Sequence, residues 1–118
     1  MNRMHELSIA MSVLELAEEE ADRRGGVGVR AIYLKLGALS GVDKQALLSA
    51  YELAVEQTQF ADCQLIIEDI PIAVYCSKCE AERTIASIQL FECPDCGTPA
   101  SNVVRGRELQ VSALELSE

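Results

Sequence analysis

Two cysteine pairs decide the fold of this chain, Cys76-Ser77-Lys78-Cys79 and Cys93-Pro94-Asp95-Cys96-Gly97, and thirteen residues separate them. The two-residue spacer inside each pair lets both sulfur atoms turn toward one point, so the two pairs can supply the four thiolates of a tetrahedral Zn²⁺ site. Gly97 suits the positive φ that the turn after the second pair needs. The sequence therefore predicts one closed, structural Zn²⁺ site with the ligands Cys76, Cys79, Cys93 and Cys96.

Other uses of paired cysteines explain the sequence less well. Two disulfides would need an oxidising compartment, whereas we expect no secretory segment, because Glu6 and Glu15 interrupt the apolar residues near the N-terminus. A redox Cys-x-x-Cys motif would account for one pair and not for two. An iron centre could use the same four thiolates. The fifth cysteine, Cys63, stands in an apolar stretch away from the pairs, and we interpret it as a small buried side chain.

The composition bounds the class of protein. The chain has 118 residues, of which 49% are hydrophobic, so it can form one domain or one domain that carries a small inserted module. The formal net charge is −9. A chain this acidic is a poor binder of phosphate backbones, and it has no apolar run long enough to span a membrane. We therefore expect a cytoplasmic protein whose partners include neither nucleic acid nor a membrane.

The hydrophobic periodicity predicts the order of the secondary-structure elements. Apolar side chains recur at helical spacing in the first stretch and again after Gly41, whereas other stretches alternate between apolar and polar side chains. Gly25 and Gly26 end the first helix, and Asp43 is a suitable N-cap for the second. We expect helices at residues 4–24 and 44–59, strands at residues 29–36, 63–70 and 107–116, and short strands within residues 83–91.

These elements define the predicted architecture. The fold class is α+β, with a small three-stranded, mainly antiparallel sheet, two helices on one of its faces and an inserted four-cysteine zinc-ribbon module. The two strands that flank the ribbon are expected to pair as an antiparallel hairpin, and the first strand adds a third member. The main α/β domain then comprises residues 1–72 and 103–118, and the zinc-binding ribbon comprises residues 73–102.

Three features of the sequence together resemble one known family. The chain opens with Met4-His5-Glu6-Leu7-Ser8-Ile9-Ala10 ahead of an amphipathic helix, Gly37-Ala38-Leu39-Ser40 breaks the first strand before Asp43, and the two cysteine pairs follow about two-thirds along the chain. In this order they resemble the HypA/HybF hydrogenase-maturation proteins over nearly the whole chain. The helical and strand stretches are generic, whereas the Met-His-Glu-Leu-Ser opening combined with two Cys-x-x-Cys pairs is specific.

The resemblance implies a nickel metallochaperone that is not an enzyme. Its members help to insert Ni²⁺ into the large subunit of [NiFe]-hydrogenase, work with a GTPase of the HypB type, and in some cases also serve urease maturation proteins. By position, His5 would be a nickel ligand flanked by Met4 and Glu6, and the main domain would be the nickel-binding one. Zn(II) would be structural, Ni(II) would be bound transiently, and a homodimer is left open.

The start of the chain departs from the family pattern. Members of the family begin at the methionine of Met-His-Glu, whose amine can bind metal, whereas here Met1-Asn2-Arg3 precede Met4. Ni²⁺ accepts planar nitrogen coordination, which an imidazole and consecutive backbone nitrogens can supply. If translation starts at Met4, the family pattern is restored. If it starts at Met1, the site must combine His5 with internal amides or other donors.

Two other classes of function remain compatible with parts of the sequence. A zinc-ribbon module that binds a transcription complex or a nucleic acid is the main alternative, although Arg83, Arg105 and Arg107 are too few for a basic track. The acidic charge disfavours binding to a nucleic acid but not binding to a protein. The alternative is therefore a zinc-ribbon protein-interaction module without nickel delivery. A small enzyme fits least, because the sequence has one histidine and no nucleophile–base signature.

Overall fold

The computed structural model describes residues 3–117, except for the side chains of Arg3 and Met4. No helix in that part of the chain is both long and apolar enough to cross a membrane. The elements, in chain order, are α1 (Arg3–Arg23), β1 (Val29–Gly37), α2 (Lys44–Val55), β2 (Gln64–Ile70), β3 (Ala73–Cys76), β4 (Ala81–Thr84), β5 (Val103–Arg105) and β6 (Leu109–Leu116).

The chain divides into two compact units, each made of separate segments. The first unit comprises Met1–Leu34, Val42–Glu68 and Gln110–Glu118, and the second comprises Lys35–Gly41 and Asp69–Leu109. The first unit holds both helices, and the second unit holds all four paired cysteines. The predicted α+β class, with two helices, a three-stranded sheet and a four-cysteine module, is confirmed.

The first sheet has the strand order β2-β1-β6, so β1 is its central strand. Gly37 N donates to Glu108 O at one end of β1, and Ser117 N donates to Gly28 O at the other, which makes β1 and β6 antiparallel. Ala38 N donates to Ile70 O just where β1 and β2 both end, so these two strands run in the same direction.

The predicted hairpin between the two strands that flank the ribbon is wrong. β2 and β6 are not neighbours, because β1 lies between them. Helix α2 connects β1 to β2 and supplies the long crossover that a parallel pair requires. The central position also suits β1, in which Ile32 and Leu34 are almost completely buried.

The core of the first unit joins the two helices to the sheet. Its buried members come from α1, β1, α2 and the segment after α2: Ala10, Val13, Ala17, Ile32, Leu34, Leu47, Tyr51, Val55, Phe60 and Cys63. The face that α1 buries is rich in alanine, which adds little side-chain bulk. Met11 and Leu16, two larger apolar side chains of α1, remain about half exposed, at 53% and 47%.

Local sequence signals set the helix ends. The Asp43 carboxylate accepts a hydrogen bond of 3.0 Å from Ala46 N and caps α2, as predicted. Gly26 N donates to Ala21 O at the end of α1, with positive φ at both Gly25 and Gly26. The second helix ends at Val55 and not at the predicted residue 59, because Glu56 leaves the helical conformation with a ψ of 133° and Gln57 follows with the left-handed φ of 63°.

The second unit contains its own sheet, of order β4-β3-β5. β4 is antiparallel to β3, with Cys76 opposite Ala81 and Val74 opposite Arg83. A small apolar cluster supports this sheet and consists of Ile72, Val74, Ile85 and Ala100. The expectation of strands within residues 83–91 is mostly wrong: β4 ends at Thr84, and a turn follows that leaves Ile88 and Leu90 exposed.

Candidate metal sites

The four paired cysteines meet at one point in the second unit. Their Sγ atoms all lie within 4.8 Å of one another, with 3.6 Å between Cys76 and Cys96 and 3.9 Å between Cys79 and Cys93. A tetrahedral site with Zn–S bonds of about 2.3 Å requires sulfur atoms about 3.8 Å apart. All four are free cysteines, at separations much longer than the ~2 Å of a disulfide. The cluster therefore fits a divalent ion held by four thiolates.

Backbone hydrogen bonds shape both halves of this cluster. In the first pair, Cys76 ends β3 and its Sγ accepts a hydrogen bond of 3.4 Å from Cys79 N. In the second pair, Gly97 N donates to Cys93 O and Cys93 N donates to Thr98 O, each at 2.8 Å. Gly97 has a φ of 75°, which confirms the prediction made for this turn. Each turn thus directs two sulfur atoms to the same side.

The cysteines differ in their protonation without metal. Hydrogen bonds from the Thr98 side chain and backbone lower the pKa of Cys96 to about 6, so this thiol is ionised at neutral pH. Hydrogen bonds with Cys96, together with burial, raise the pKa of Cys79 to about 12. A divalent ion that binds all four thiolates must therefore displace protons, and the proton of Cys79 is the one held most firmly.

Two charged side chains at this site were not predicted as site residues. Arg83 Nε lies 2.8 Å from Asp95 Oδ2, and Asp95 stands between Cys93 and Cys96. The only sequence signal for Asp95 is its place inside the second pair. Arg83 carries no such signal, because its proximity depends on how β4 pairs with β3.

The predicted nickel residues lie at the beginning of α1 and have different surroundings. His5 is exposed. Glu6 is completely buried, and its Oε2 accepts a long hydrogen bond of 3.5 Å from Asp43 N, next to the start of α2. Glu6 Oε1 has no hydrogen-bond partner within residues 3–117. The side chain of Met4 lies outside the described part of the chain.

The start of α1 has backbone N–H groups that the hydrogen bonds of the helix itself do not use. Since α1 begins at Arg3, the amide groups of Met4, His5 and Glu6 fall in its first turn. The N–H groups of a first turn have no acceptor one turn earlier within the helix. Their nitrogens are therefore not committed to the hydrogen-bond ladder of α1. The predicted combination of an imidazole with consecutive backbone nitrogens is compatible with this placement.

Comparison with known proteins gives a consistent result. A family model described as "Hydrogenase/urease nickel incorporation, metallochaperone, hypA" matches residues 4–116. A hydrogenase maturation factor HypA from Chloroflexus aggregans is 43% identical over 112 residues, which cover 95% of this chain and 98% of that protein. Another, from Roseiflexus sp., is 40% identical over 115 residues, which cover 98% and 94%.

Solved structures with the same fold are also those of HypA proteins. The solution structure of a HypA protein superposes with a TM-score of 0.70 and 25% identity, covering 97% of each chain. The solution structure of the Ni metallochaperone HypA from Helicobacter pylori superposes with a TM-score of 0.63 and 25% identity, covering 94% of this chain and 96% of that one. The region that the family model matches starts at Met4, the first residue of the Met-His-Glu motif.

Proposed function

Because this chain belongs to the HypA family of metallochaperones for nickel incorporation into hydrogenase and urease, we propose that it binds Ni²⁺ at the start of α1 and delivers it to the large subunit of nickel–iron hydrogenase. The role is carriage of a metal ion and not catalysis. A GTPase of the HypB type is the proposed partner in delivery, and urease maturation proteins are a second class of recipient.

The exposure of His5 is the observation that carries this proposal. The imidazole is the only one in the sequence, and it stands in a helical turn whose amide nitrogens have no helical acceptor. Ni²⁺ accepts such nitrogen donors in a plane. Glu6 would contribute its backbone nitrogen, since its carboxylate is buried beside Asp43. A site on the surface at the start of a helix can also be reached by a recipient protein.

The cysteine cluster is proposed to hold a structural Zn²⁺. Sulfur separations of 3.6 and 3.9 Å support four-thiolate coordination, which leaves no position for a substrate. Such a site requires reduced thiols, which is the basis for proposing that the protein works in the cytoplasm. On this proposal the first unit binds nickel and the second unit binds zinc.

The experiment is a calorimetric Ni²⁺ titration of the zinc-loaded protein beside His5→Ala. We expect one equivalent to bind with micromolar affinity, about −8 kcal/mol, and binding to be lost in His5→Ala. Ser8→Ala is the matched control, because Ser8 is exposed and lies on the same helix three residues further along. It should bind nickel as the unmodified protein does.

Chains that start at Met1 and at Met4 are titrated separately. Binding by both would show that the three residues before Met4 are tolerated, and binding by the shorter chain alone would show that a free amine at Met4 is needed. If neither chain binds nickel, the proposal of nickel delivery is wrong. A zinc-ribbon protein-interaction module would then be the remaining function.

A further inference from the structure

Arg83 on β4 lies beside the cysteine cluster, although it stands outside both cysteine pairs in the sequence. β4 pairs with β3 so that Cys76 faces Ala81 and Val74 faces Arg83. Side chains two residues apart on a strand point to the same face of the sheet. The side chain of Arg83 therefore leaves the sheet on the same face as that of Ala81, the neighbour of Cys76 across the ladder.

The guanidinium connects this sheet to the second cysteine pair. Arg83 Nε lies 2.8 Å from Asp95 Oδ2, inside the Cys93-Pro94-Asp95-Cys96 turn. The Nε atom itself is buried and makes no hydrogen bond to any described residue, so its contact with Asp95 is one of opposite charges; the Arg83 side chain is 30% exposed and that of Asp95 65%. In a second ion pair of this sheet, Arg105 is 58% exposed, about twice as much as Arg83, whereas its partner Glu82 is 46% exposed and so less exposed than Asp95. Arg83 thus differs from an ordinary surface arginine.

The environment of Arg83 includes thiols as well as a carboxylate. Burial lowers the pKa of this guanidinium, but the Cys79 thiol, the Asp95 carboxylate and the Cys93 thiol outweigh it and raise the pKa. Four thiolates around a divalent cation carry a net charge of −2, which a nearby guanidinium partly balances. Groups just outside the ligands of a metal commonly orient those ligands and tune their basicity.

We propose that Arg83 is a positioning residue of the cysteine centre, which holds the second cysteine pair against β4 through Asp95 and supplies a counter-charge, and so slows the release of the bound Zn²⁺. Arg83 keeps Asp95, and with it Cys93 and Cys96, in place. This inference rests on the proposed zinc occupancy and is independent of nickel delivery.

The experiment measures transfer of zinc from the loaded protein to excess pyridylazoresorcinol at neutral pH. Arg83→Gln should release zinc about 10- to 100-fold faster, the usual effect of losing a residue next to the ligands. Arg83→Lys should fall between the two, because it keeps the charge but not the planar guanidinium. Asp95→Asn should also accelerate release. Arg105→Gln is the matched control, since it removes an exposed ion pair of the same sheet, and should leave the rate unchanged.

A spectroscopic measurement separates this role from general destabilisation. With Co²⁺ loaded in place of Zn²⁺, loss of a cation beside the sulfur atoms should move the sulfur-to-metal charge-transfer band to longer wavelength in Arg83→Gln. The band should stay in place in Arg105→Gln. If Arg83→Gln does not fold, Arg83→Met removes the same charge and provides the same two measurements, whereas the band of Arg83→Lys should stay in place because that variant keeps a cation.

Three results would overturn the proposal. They are release from the Arg83 variants at the unmodified rate, equal acceleration in Arg105→Gln, or a charge-transfer band that stays in place when the positive charge of Arg83 is removed. Failure of the unmodified protein to retain one zinc would instead show that the zinc assignment itself is wrong. Failure to bind nickel would leave the inference on Arg83 standing.

Discussion

At the residue scale, Tyr51 shows how one polar atom is accommodated in the core of the first unit. The residue is 3% exposed, and its hydroxyl donates a hydrogen bond of 2.9 Å to the carbonyl oxygen of Cys63. Burial, with a contribution from Cys63, raises the pKa of Tyr51. The hydroxyl therefore stays protonated at all ordinary pH values and remains a donor.

Replacing Tyr51 with phenylalanine should destabilise the protein. The change leaves the Cys63 carbonyl oxygen without its buried donor, so we expect the free energy of unfolding to fall by about 1–2 kcal/mol. Urea denaturation followed by circular dichroism measures the difference. Tyr33→Phe is the control, because the Tyr33 hydroxyl contacts the exposed carboxylate of Glu115 at 3.2 Å. A loss as large in Tyr33→Phe as in Tyr51→Phe would contradict this account.

Single residues also show which contacts the sequence can predict and which it cannot. The four cysteines could be assigned to one cluster because a two-residue spacer is a local property of the chain. Arg83 and Asp95 could not be paired, since twelve positions from β4 to the second turn separate them and the turn path decides their distance. The sequence does not predict the burial of Glu6 either, because this burial depends on the loop before α2.

At the element scale, α2 begins at a single side-chain cap. The Asp43 carboxylate accepts a hydrogen bond from Ala46 N, while the backbone of Asp43 is extended. Asp43→Ala should lower the free energy of unfolding by about 1 kcal/mol, because it leaves this amide without an acceptor. Asp43→Asn keeps an acceptor and should cost little. Thermal unfolding of the nickel-free protein measures both, and equal losses in the two variants would refute the capping role.

Helices were more predictable than strand pairing. The periodicity of α1 and α2 and their end signals are local, so the sequence predicts both helices, although it places the end of α2 four residues too late. The neighbour of each strand is a non-local property. The chain order suggested a hairpin across the ribbon, whereas the sheet places β1 between β2 and β6. Within β6, Val111 and Leu114 both pack on the core, which strict alternation did not predict.

At the scale of the whole molecule, the two units differ in how much apolar core they contain. Among the described residues, the core cluster of the first unit has ten buried members, whereas that of the second has four. So small a core gives its short strands little stability of their own, and metal binding can then supply folding free energy. The stability of the second unit should depend on its metal more than that of the first.

Removal of the metal should therefore act on the units unequally. After treatment with a chelator and a reductant, we expect the amides of β3, β4 and β5 to lose protection from hydrogen–deuterium exchange by at least about tenfold. The amides of α1 and α2 should keep theirs. Restoring one equivalent of Zn²⁺ should restore the protection. Equal loss in both units, or no loss in either, would contradict this division.

The first sheet is completed by β6, and β6 follows all four paired cysteines in the chain. A ribosome working from the N-terminus releases the two cysteine pairs before it releases this strand. The thiols can therefore meet a metal ion in the nascent chain while the sheet still lacks its third strand. The order of synthesis thus means that the first sheet can close only after all four thiols of the second unit have been made.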